Sequence, residues 1–379
     1  MKKNIKLKIF FFFFIEYIII QFKFNLNISD EIKIEKYLII CNSTKLLNEK
    51  KCFKKIKKPK VSIISAVYNR EKYLMRFIKS IQNQKFNDIE IIFIDDYSED
   101  KSVKIIENFQ KIDKRILLIK NKKNKGTFIC RNLGVLKSKG EYLILPDPDD
   151  ILSKDIINVS YKFAKKNNYE MIRFNIYLGN GIIFHNGIVQ NLKSFPIRQP
   201  ELSLYLYYGL GKLCLIDFNV SNKFVKRASF IKALNYLNKY YLKIYMIFFE
   251  DGLLNFFLYR TVKSFFFLKK IGYYYIQNLK TIKESGMANI HYLTNRFYYL
   301  KLVFEFTKNT LLEKNMSNYL LIIINDIYRS NKTIFLNKEE FNLYTDTINS
   351  YLNCHFINDN NRNNLGKLKS IIKIKEKSI

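Results

Sequence analysis

From Val61 onward the chain alternates between short apolar runs and amphipathic stretches. Val61 to Val67 (VSIISAV) is apolar and β-branched, which suits a buried strand. Leu74, Phe77, Ile78 and Ile81 then recur at helical spacing. Glu90 to Ile94 is a second apolar run, ending at Asp95-Asp96. Val103, Ile106 and Phe109 mark a second helix, and Arg115 to Lys120 (RILLIK) a third strand. Thr127 to Ser138 predicts a third helix, and Glu141 to Leu145 (EYLIL) a fourth strand closed by Pro146. Strands separated by single helices require right-handed crossovers, so the sheet is expected to be parallel and covered on both faces. The pattern predicts the α/β class: a Rossmann-like, mostly parallel sheet flanked by helices.

The flanking regions differ. Ser264 to Tyr275 is aromatic and strand-like, while Leu320, Ile323, Ile324 and Ile327 predict helices beyond about Ile290. The tail from Lys367 to Lys377 is basic. At the other end, Lys2, Lys3, Lys6 and Lys8 precede an apolar run, Ile9 to Phe22, broken only by Glu16 and Gln21. That is the pattern of a signal anchor or signal peptide. As a helix the run spans about 21 Å against a hydrocarbon core of about 30 Å. Ile5, Leu7 and Phe24, with snorkelling lysines, bring it near spanning length. No small-x-small cleavage site follows, which favours an uncleaved anchor, single-pass, with the lysine end cytosolic and the bulk of the chain in the ER or Golgi lumen. A cleaved signal, or a buried helix in a cytoplasmic protein, is the alternative. The expected organisation is thus 1–24 anchor or signal, 25–59 stem, 60–285 α/β domain, and 286–379 helical accessory region with basic tail.

Charge changes the picture less than its size suggests. The chain carries 65 basic and 33 acidic residues, a net +32. A charge of that size suits nucleic acid, an anionic membrane or phosphate-bearing ligands. However, Lys, Asn, Ile, Phe and Tyr are all encoded by A/T-only codons. The lysines are scattered rather than gathered in one stripe, so genome composition is the simpler account, and no nucleic-acid partner is expected. The five cysteines include no C-x-x-C pair, and the three histidines are far apart, so neither a zinc ribbon nor a disulfide framework is indicated.

In parallel sheets, ligands sit outside the carboxyl ends of the strands. The residues there are Tyr68-Asn69-Arg70, Asp95-Asp96-Tyr97-Ser98, Asn121 to Gly126, and Asp147-Pro148-Asp149-Asp150. Three aspartates around one proline cannot all be buried and ionised without a cation. Carboxylates after two strands suggest a metal or sugar site, and a hard divalent ion, Mg²⁺ or Mn²⁺, suits them. A solvated turn with an N-capping Asp is the competing reading of each cluster. The first strand-to-helix turn has neither G-x-G-x-x-G nor G-x-x-x-x-G-K-[ST], which argues against a nicotinamide dinucleotide fold and a P-loop enzyme.

Taken together these segments resemble family 2 glycosyltransferases of the GT-A fold. Val61 to Asn69 looks like that family's opening strand and V-Y-N turn, and Asp95 to Asp100 like its D-D-G-S-x-D. Asn124-Lys125-Gly126, Arg131-Asn132-x-Gly134 and Gly140-Glu141-Tyr142 match the stretch before its metal motif, and Asp147 to Asp150 matches D-x-D-D. The resemblance is strong from Val61 to Tyr177 and fainter to about Asn278, where Phe249-Glu250-Asp251-Gly252-Leu253 looks like an E-D motif opening a helix.

The resemblance implies a nucleotide-sugar donor, usually a UDP-sugar, a divalent metal, and inverting hexosyl transfer to a glycan, glycoprotein or glycolipid hydroxyl. It places Asp96 with Asp95 at the nucleoside, Tyr68 and Asn69 lining that pocket, and Arg131 near the diphosphate. Asp147 and Asp149 would hold metal and donor, and Asp251, with Glu250 beside it, would act as general base. Ala66 replaces the family's usual proline, and Tyr97 stands where glycine is typical, so its turn must avoid positive φ or carry strain. A catalytically silent nucleotide-sugar- or carbohydrate-binding relative is the alternative in function, and a basic nucleic-acid-binding protein, motivated by the net charge, ranks behind it.

Overall fold

The structure is a computed structural model. It describes residues 53–177, 219–238 and 250–276, together with 183–184, 197–198, 246, 295, 299, 302, 334–336 and 372–374. The amino-terminal apolar run and the stem up to residue 52 lie outside the described residues, as do all three histidines. Among the described residues, no helix is long and apolar enough to cross a membrane. The chain divides into two compact units: Met1–Tyr245 with Phe257–Gln277, and Met246–Phe256 with Asn278–Ile379.

The first unit begins as the apolar pattern predicts. Its elements are β1 (Val61–Val67), α1 (Glu71–Gln82), β2 (Ile89–Asp95), α2 (Ser102–Ile112), β3 (Ile116–Lys120), α3 (Thr127–Lys137) and β4 (Tyr142–Ile144). β1 pairs in parallel with both β2 and β4, and β2 pairs in parallel with β3. The order β3-β2-β1-β4 therefore puts the carboxyl ends of four strands along one edge.

Beyond β4 the sheet becomes mixed. β5 (Ile151–Leu152), α4 (Ile156–Asn167) and β6 (Met171–Tyr177) follow, with β7 (Ile183–Phe184) and β8 (Ile197–Arg198) pairing at its margins. β9 (Lys223–Lys226) inserts antiparallel between β4 and β6. After it come α5 (Arg227–Asn238), α6 (Glu250–Thr261), which starts in the second unit, and β10 (Ser264–Tyr274). β10 is the aromatic strand expected from Ser264 onward, and it lies parallel to β6. The ten-stranded sheet runs β3-β2-β1-β4-β9-β6-β10-β5. In the second unit, β11 (Ile334–Leu336) and β12 (Ile372–Ile374) form a parallel pair within the stretch expected to be helical. The residues that motivated that expectation, Leu320 to Ile327, lie outside the described residues.

Why the sheet closes tightly follows from side-chain size. Ile63, Val67, Leu74, Phe77, Ile78 and Ile81 are fully buried in one core between β1 and α1. The burial of each such side chain contributes roughly 1.5–3 kcal/mol. On α3, a Cβ on Gly134 would lie 2.2 Å from Ile64 Cγ2, so only glycine lets this helix approach the strand so closely. Gly140 abuts backbone as well as a side chain. A Cβ there would meet the Ser62 backbone nitrogen at 2.5 Å. Its amide donates to Ser62 Oγ (2.8 Å) and Glu90 Oε1 (3.1 Å), which aligns β4 beside β1.

The neighbour of Gly140 is backbone, which cannot rotate away. Gly140→Ala is therefore expected to lower stability by about 1–3 kcal/mol or more. Chemical denaturation should show a lower midpoint with an unchanged slope; a wild-type midpoint would mean that β4 can shift without cost.

Candidate active site at the carboxyl edge of the sheet

Four loops converge at this edge, and hydrogen bonds join each to the next. The turn after β1 meets the turn after β2 through Asn69. Its amide donates to Ser98 Oγ (3.0 Å), and its Oδ1 accepts the Glu99 amide (2.9 Å). Asp100 reinforces the junction, with Oδ2 accepting the Glu71 amide at 2.9 Å and Oδ1 the Ser102 amide at 2.9 Å. These bonds satisfy first-turn donors of two different helices. Burial pushes the Asp100 carboxyl up, but those hydrogen bonds and the Arg70 charge outweigh it and hold it below the usual range.

The turn after β2 meets the loop after β3 through Asp96. Asp96 is buried, and its carboxylate accepts the Asn121 side-chain amide, the Lys125 amide and the Gly126 amide, each at 2.8 Å. The buried Cys130 thiol also hydrogen-bonds to Asp96, so about all four acceptor sites of this carboxylate are engaged. Asp95 is also buried; Oδ2 accepts the Ser98 amide at 3.2 Å, while Oδ1 has no donor. Gly126, at φ 84°, turns the chain into α3.

That helix carries Arg131, buried, whose Nη2 lies 2.7 Å from Asp147 Oδ1 in the loop after β4. The same loop returns to the first turn. Asp149 Oδ2 lies 3.4 Å from Arg70 Nε, and the Asp149 carbonyl accepts Arg76 Nη2 at 2.6 Å. Ser65 Oγ donates to the Pro146 carbonyl at 2.9 Å, holding the loop against β1. Tyr68, Asn69, Asp95, Asp96, Arg131, Asp147 and Asp149 thus occupy one continuous rim. Glu250 and Asp251 open α6 within the second unit, both half-buried.

The three aspartates of the acidic loop are not equivalent. Asp147 and Asp149 keep partial exposure, with side chains 37% and 25% accessible. Burial, then the Asp147 charge, pushes the Asp149 carboxyl up, against the pull of Arg70 and Arg76. Asp150 is fully enclosed, and burial followed by the charges of Asp149 and Asp147 pushes it up further. It accepts Tyr273 Oη at 2.6 Å and the Ile276 amide at 2.8 Å. Tyr273 Oη in turn accepts the Asp147 amide at 3.0 Å. Asp150 is thus a tie between the acidic loop and the end of β10. Arg70, Arg76 and Tyr273 complete the rim's wiring but were not among the predicted site residues. The first two sit one and seven residues past Asn69 and carry no spacing signal; Tyr273 lies on a strand more than a hundred residues away.

No group of three or more His, Cys, Asp or Glu is arranged to chelate an ion among the described residues. Asp147 and Asp149 supply two partly exposed carboxylates, each beside an arginine. That matches Mg²⁺-type binding, where one or two carboxylates suffice and substrate phosphates complete the shell. The residues present fit such an ion.

A mixed α/β sheet with an acidic loop after its fourth strand, wired to the first two strand ends, is an arrangement of the GT-A fold. Residues 62–225 match the model of the family described as glycosyl transferase family 2. A glycosyltransferase of Haemophilus influenzae, described as uncharacterized, is 40% identical over 117 residues, 31% of this chain and 47% of its own length. An uncharacterized glycosyltransferase of Methanocaldococcus jannaschii is 34% identical over 40% of this chain and 52% of its own length. Glycosyltransferase GlyG of Streptococcus pneumoniae is 31% identical over 31% of this chain and 39% of its own. The chain thus spans about half or less of these relatives. In fold it is similar to S. aureus TarS 1-349 solved with UDP, at 18% identity and TM-score 0.57 over 82% of this chain and 87% of that one. The same TarS segment solved with UDP-GlcNAc gives 19% identity and TM-score 0.55 over 77% and 80%.

Tyr273→Phe removes the donor to Asp150 and the acceptor for the Asp147 amide. We expect it to cost about 1–3 kcal/mol, since it leaves a buried carboxyl short of a partner. A thermal melt should show the loss, and an unshifted midpoint would discard the tie.

Proposed function

We propose that this protein is a metal-dependent, inverting glycosyltransferase that moves a hexosyl group from a nucleotide-sugar, a UDP-sugar by preference, to an acceptor hydroxyl. The observation that carries the reading is the single rim: two partly exposed aspartates with Arg131 and Arg70 beside them, hydrogen-bonded through the first turn to the strand end bearing Asp95 and Asp96. TarS, similar in fold, has been solved with UDP and with UDP-GlcNAc, which supports the donor class.

In this reading Asp96 and Asp95 accept from the base or ribose edge, with Tyr68 and Asn69 alongside. Arg131 binds the diphosphate. Asp147 and Asp149 hold a divalent ion, which when bound supplies positive charge for the departing diphosphate. The acceptor oxygen attacks the anomeric carbon from the face opposite the leaving group. As that C–O bond forms, the bond to the diphosphate breaks and its electron pair leaves with the nucleotide. The Asp251 carboxylate, with Glu250 adjacent, takes the hydroxyl proton. Attachment to a membrane through residues 1–24, with the domain in the lumen and a glycan, glycoprotein or glycolipid as acceptor, completes the proposal.

A thermal-shift screen of nucleotide sugars with and without Mn²⁺ tests it, since a ligand that binds only the folded state raises its melting point. Stabilisation by a nucleotide sugar that needs Mn²⁺ is expected; no shift with any donor would refute the reading. Asp149→Ala should cut metal-dependent transfer by about 10²–10³-fold while the melt stays near wild type. Normal turnover in that variant would remove Asp149 from the metal site. Asp251→Asn should lower kcat by about 10²–10⁴-fold with little change in donor affinity, because a base acts in the transition state. If donor binding alone were lost, the base would have to be sought elsewhere.

A further inference from the structure

Tyr97 has φ 70°, and the other non-glycine residues at positive φ among those described are both asparagines, Asn69 (51°) and Asn168 (55°). Asparagine tolerates this left-handed region, whereas a bulky tyrosine is strained there. The strain is imposed from both sides. The Asp96 amide is fixed to the Val67 carbonyl (2.8 Å), and the Ser98 amide to Asp95 Oδ2 (3.2 Å). Ser98 and Glu99 are in turn fixed to Asn69. Yet burial repays little of that strain, since the residue is 52% exposed. Strain retained without a packing gain marks a residue kept for something outside the fold.

Its position says what. Tyr68, 43% exposed, follows β1, and Tyr97 follows β2; the two strands pair in parallel with Val67 opposite Asp95. Two exposed tyrosines therefore follow adjacent strand ends, the strands themselves being spaced about 4.8 Å. The acidic loop follows β4, on the far side of β1, so Tyr97 stands about two strand spacings, roughly 10 Å, from the proposed pyrophosphate position. That is the reach of a nucleoside from its own diphosphate.

We propose that Tyr97 is a nucleobase platform: its ring, together with Tyr68, offers a flat apolar surface on which the pyrimidine of the donor stacks. This deepens the transferase reading and rests on it. Stacking is sequence-tolerant, and the loss of one ring weakens nucleotide binding by about tenfold.

The test measures UDP and inorganic pyrophosphate binding, with Mn²⁺ present, to the full chain and to Tyr97→Gly, Tyr97→Asn and Tyr97→Phe, alongside thermal melts. UDP should bind about tenfold more weakly to the Gly and Asn variants and within about twofold of wild type to Phe, which keeps the ring. Pyrophosphate, lacking a base, should bind all four alike. Tyr97→Gly should also melt about 2–4 °C higher, because glycine relieves the strain. Unchanged UDP affinity in Gly and Asn, an equal loss of pyrophosphate, or a full loss in Phe would each overturn the platform. Wild type that binds neither ligand would overturn the transferase reading along with it, whereas UDP binding that ignores Tyr97 would overturn the platform alone.

Discussion

Negative charge gathered at one sheet edge has to be compensated, and that constraint shapes everything around this site. Parallel pairing of β1, β2 and β4 brings Asp95, Asp96, Asp147, Asp149 and Asp150 to the same rim. Left bare, five carboxylates there would repel one another and resist burial. Each is answered differently. Asp96 takes two backbone amides and an asparagine, Asp150 takes a tyrosine and an amide, and Asp147 and Asp149 take arginines. Asp96 and Asp150 are answered by fixed dipoles, Asp147 by the buried Arg131 and Asp149 by the part-exposed Arg70, while Asp95 Oδ1 has no donor among the described residues. Fixed dipoles lock loops. Cations on flexible side chains can give way to an incoming ion and its phosphates.

This division explains how loops of distant origin become one object. Asn69 joins the first two turns, Asp96 the second and third, Arg131 the third and fourth, and Arg70 the fourth and first. Closing the circuit leaves little freedom to any single turn, which is why Tyr97 can be held at a φ it would not choose. Rigid scaffolding of this kind suits a site that must present several groups to one ligand without reorganising.

Much of this was legible in the sequence, and for a physical reason. Buried parallel strands must be almost wholly apolar, so VSIISAV, IEIIFID and EYLIL announce themselves, and the polar residues after them are necessarily at the edge. The parallel pairing of these strands and the strand from Ser264 onward followed from the same pattern, whereas the order β3-β2-β1-β4 came from the structure alone. What sequence could not give was partnership. Asp147, Asp149 and Asp150 look alike in a row, and nothing local says that Tyr273, on β10, will claim only the last. The antiparallel β9 between β4 and β6 was equally hidden, because KFVK is short and its polar ends resemble a loop. Tyr97 was legible as a conflict only, a tyrosine where the turn favours glycine; its resolution as strain needed a dihedral angle.

The contrast between Asp149 and Asp150 bears on how such loops should be read in general. Adjacent in sequence, they differ in what surrounds each oxygen. Asp150 faces a phenol and an amide that satisfy it permanently, so its removal would loosen the loop from β10. Asp149 faces Arg70 at 3.4 Å, longer than the 2.7 Å between Arg131 and Asp147. Under the proposed function, a looser, partly exposed pair would give up less when a divalent ion arrived, while the buried Arg131 would stay beside the diphosphate with its charge in play. Under the proposed function, chemistry would belong to the carboxylates whose compensation is weakest, and structure to those whose compensation is complete. The acidic loop works because it contains both kinds within four residues.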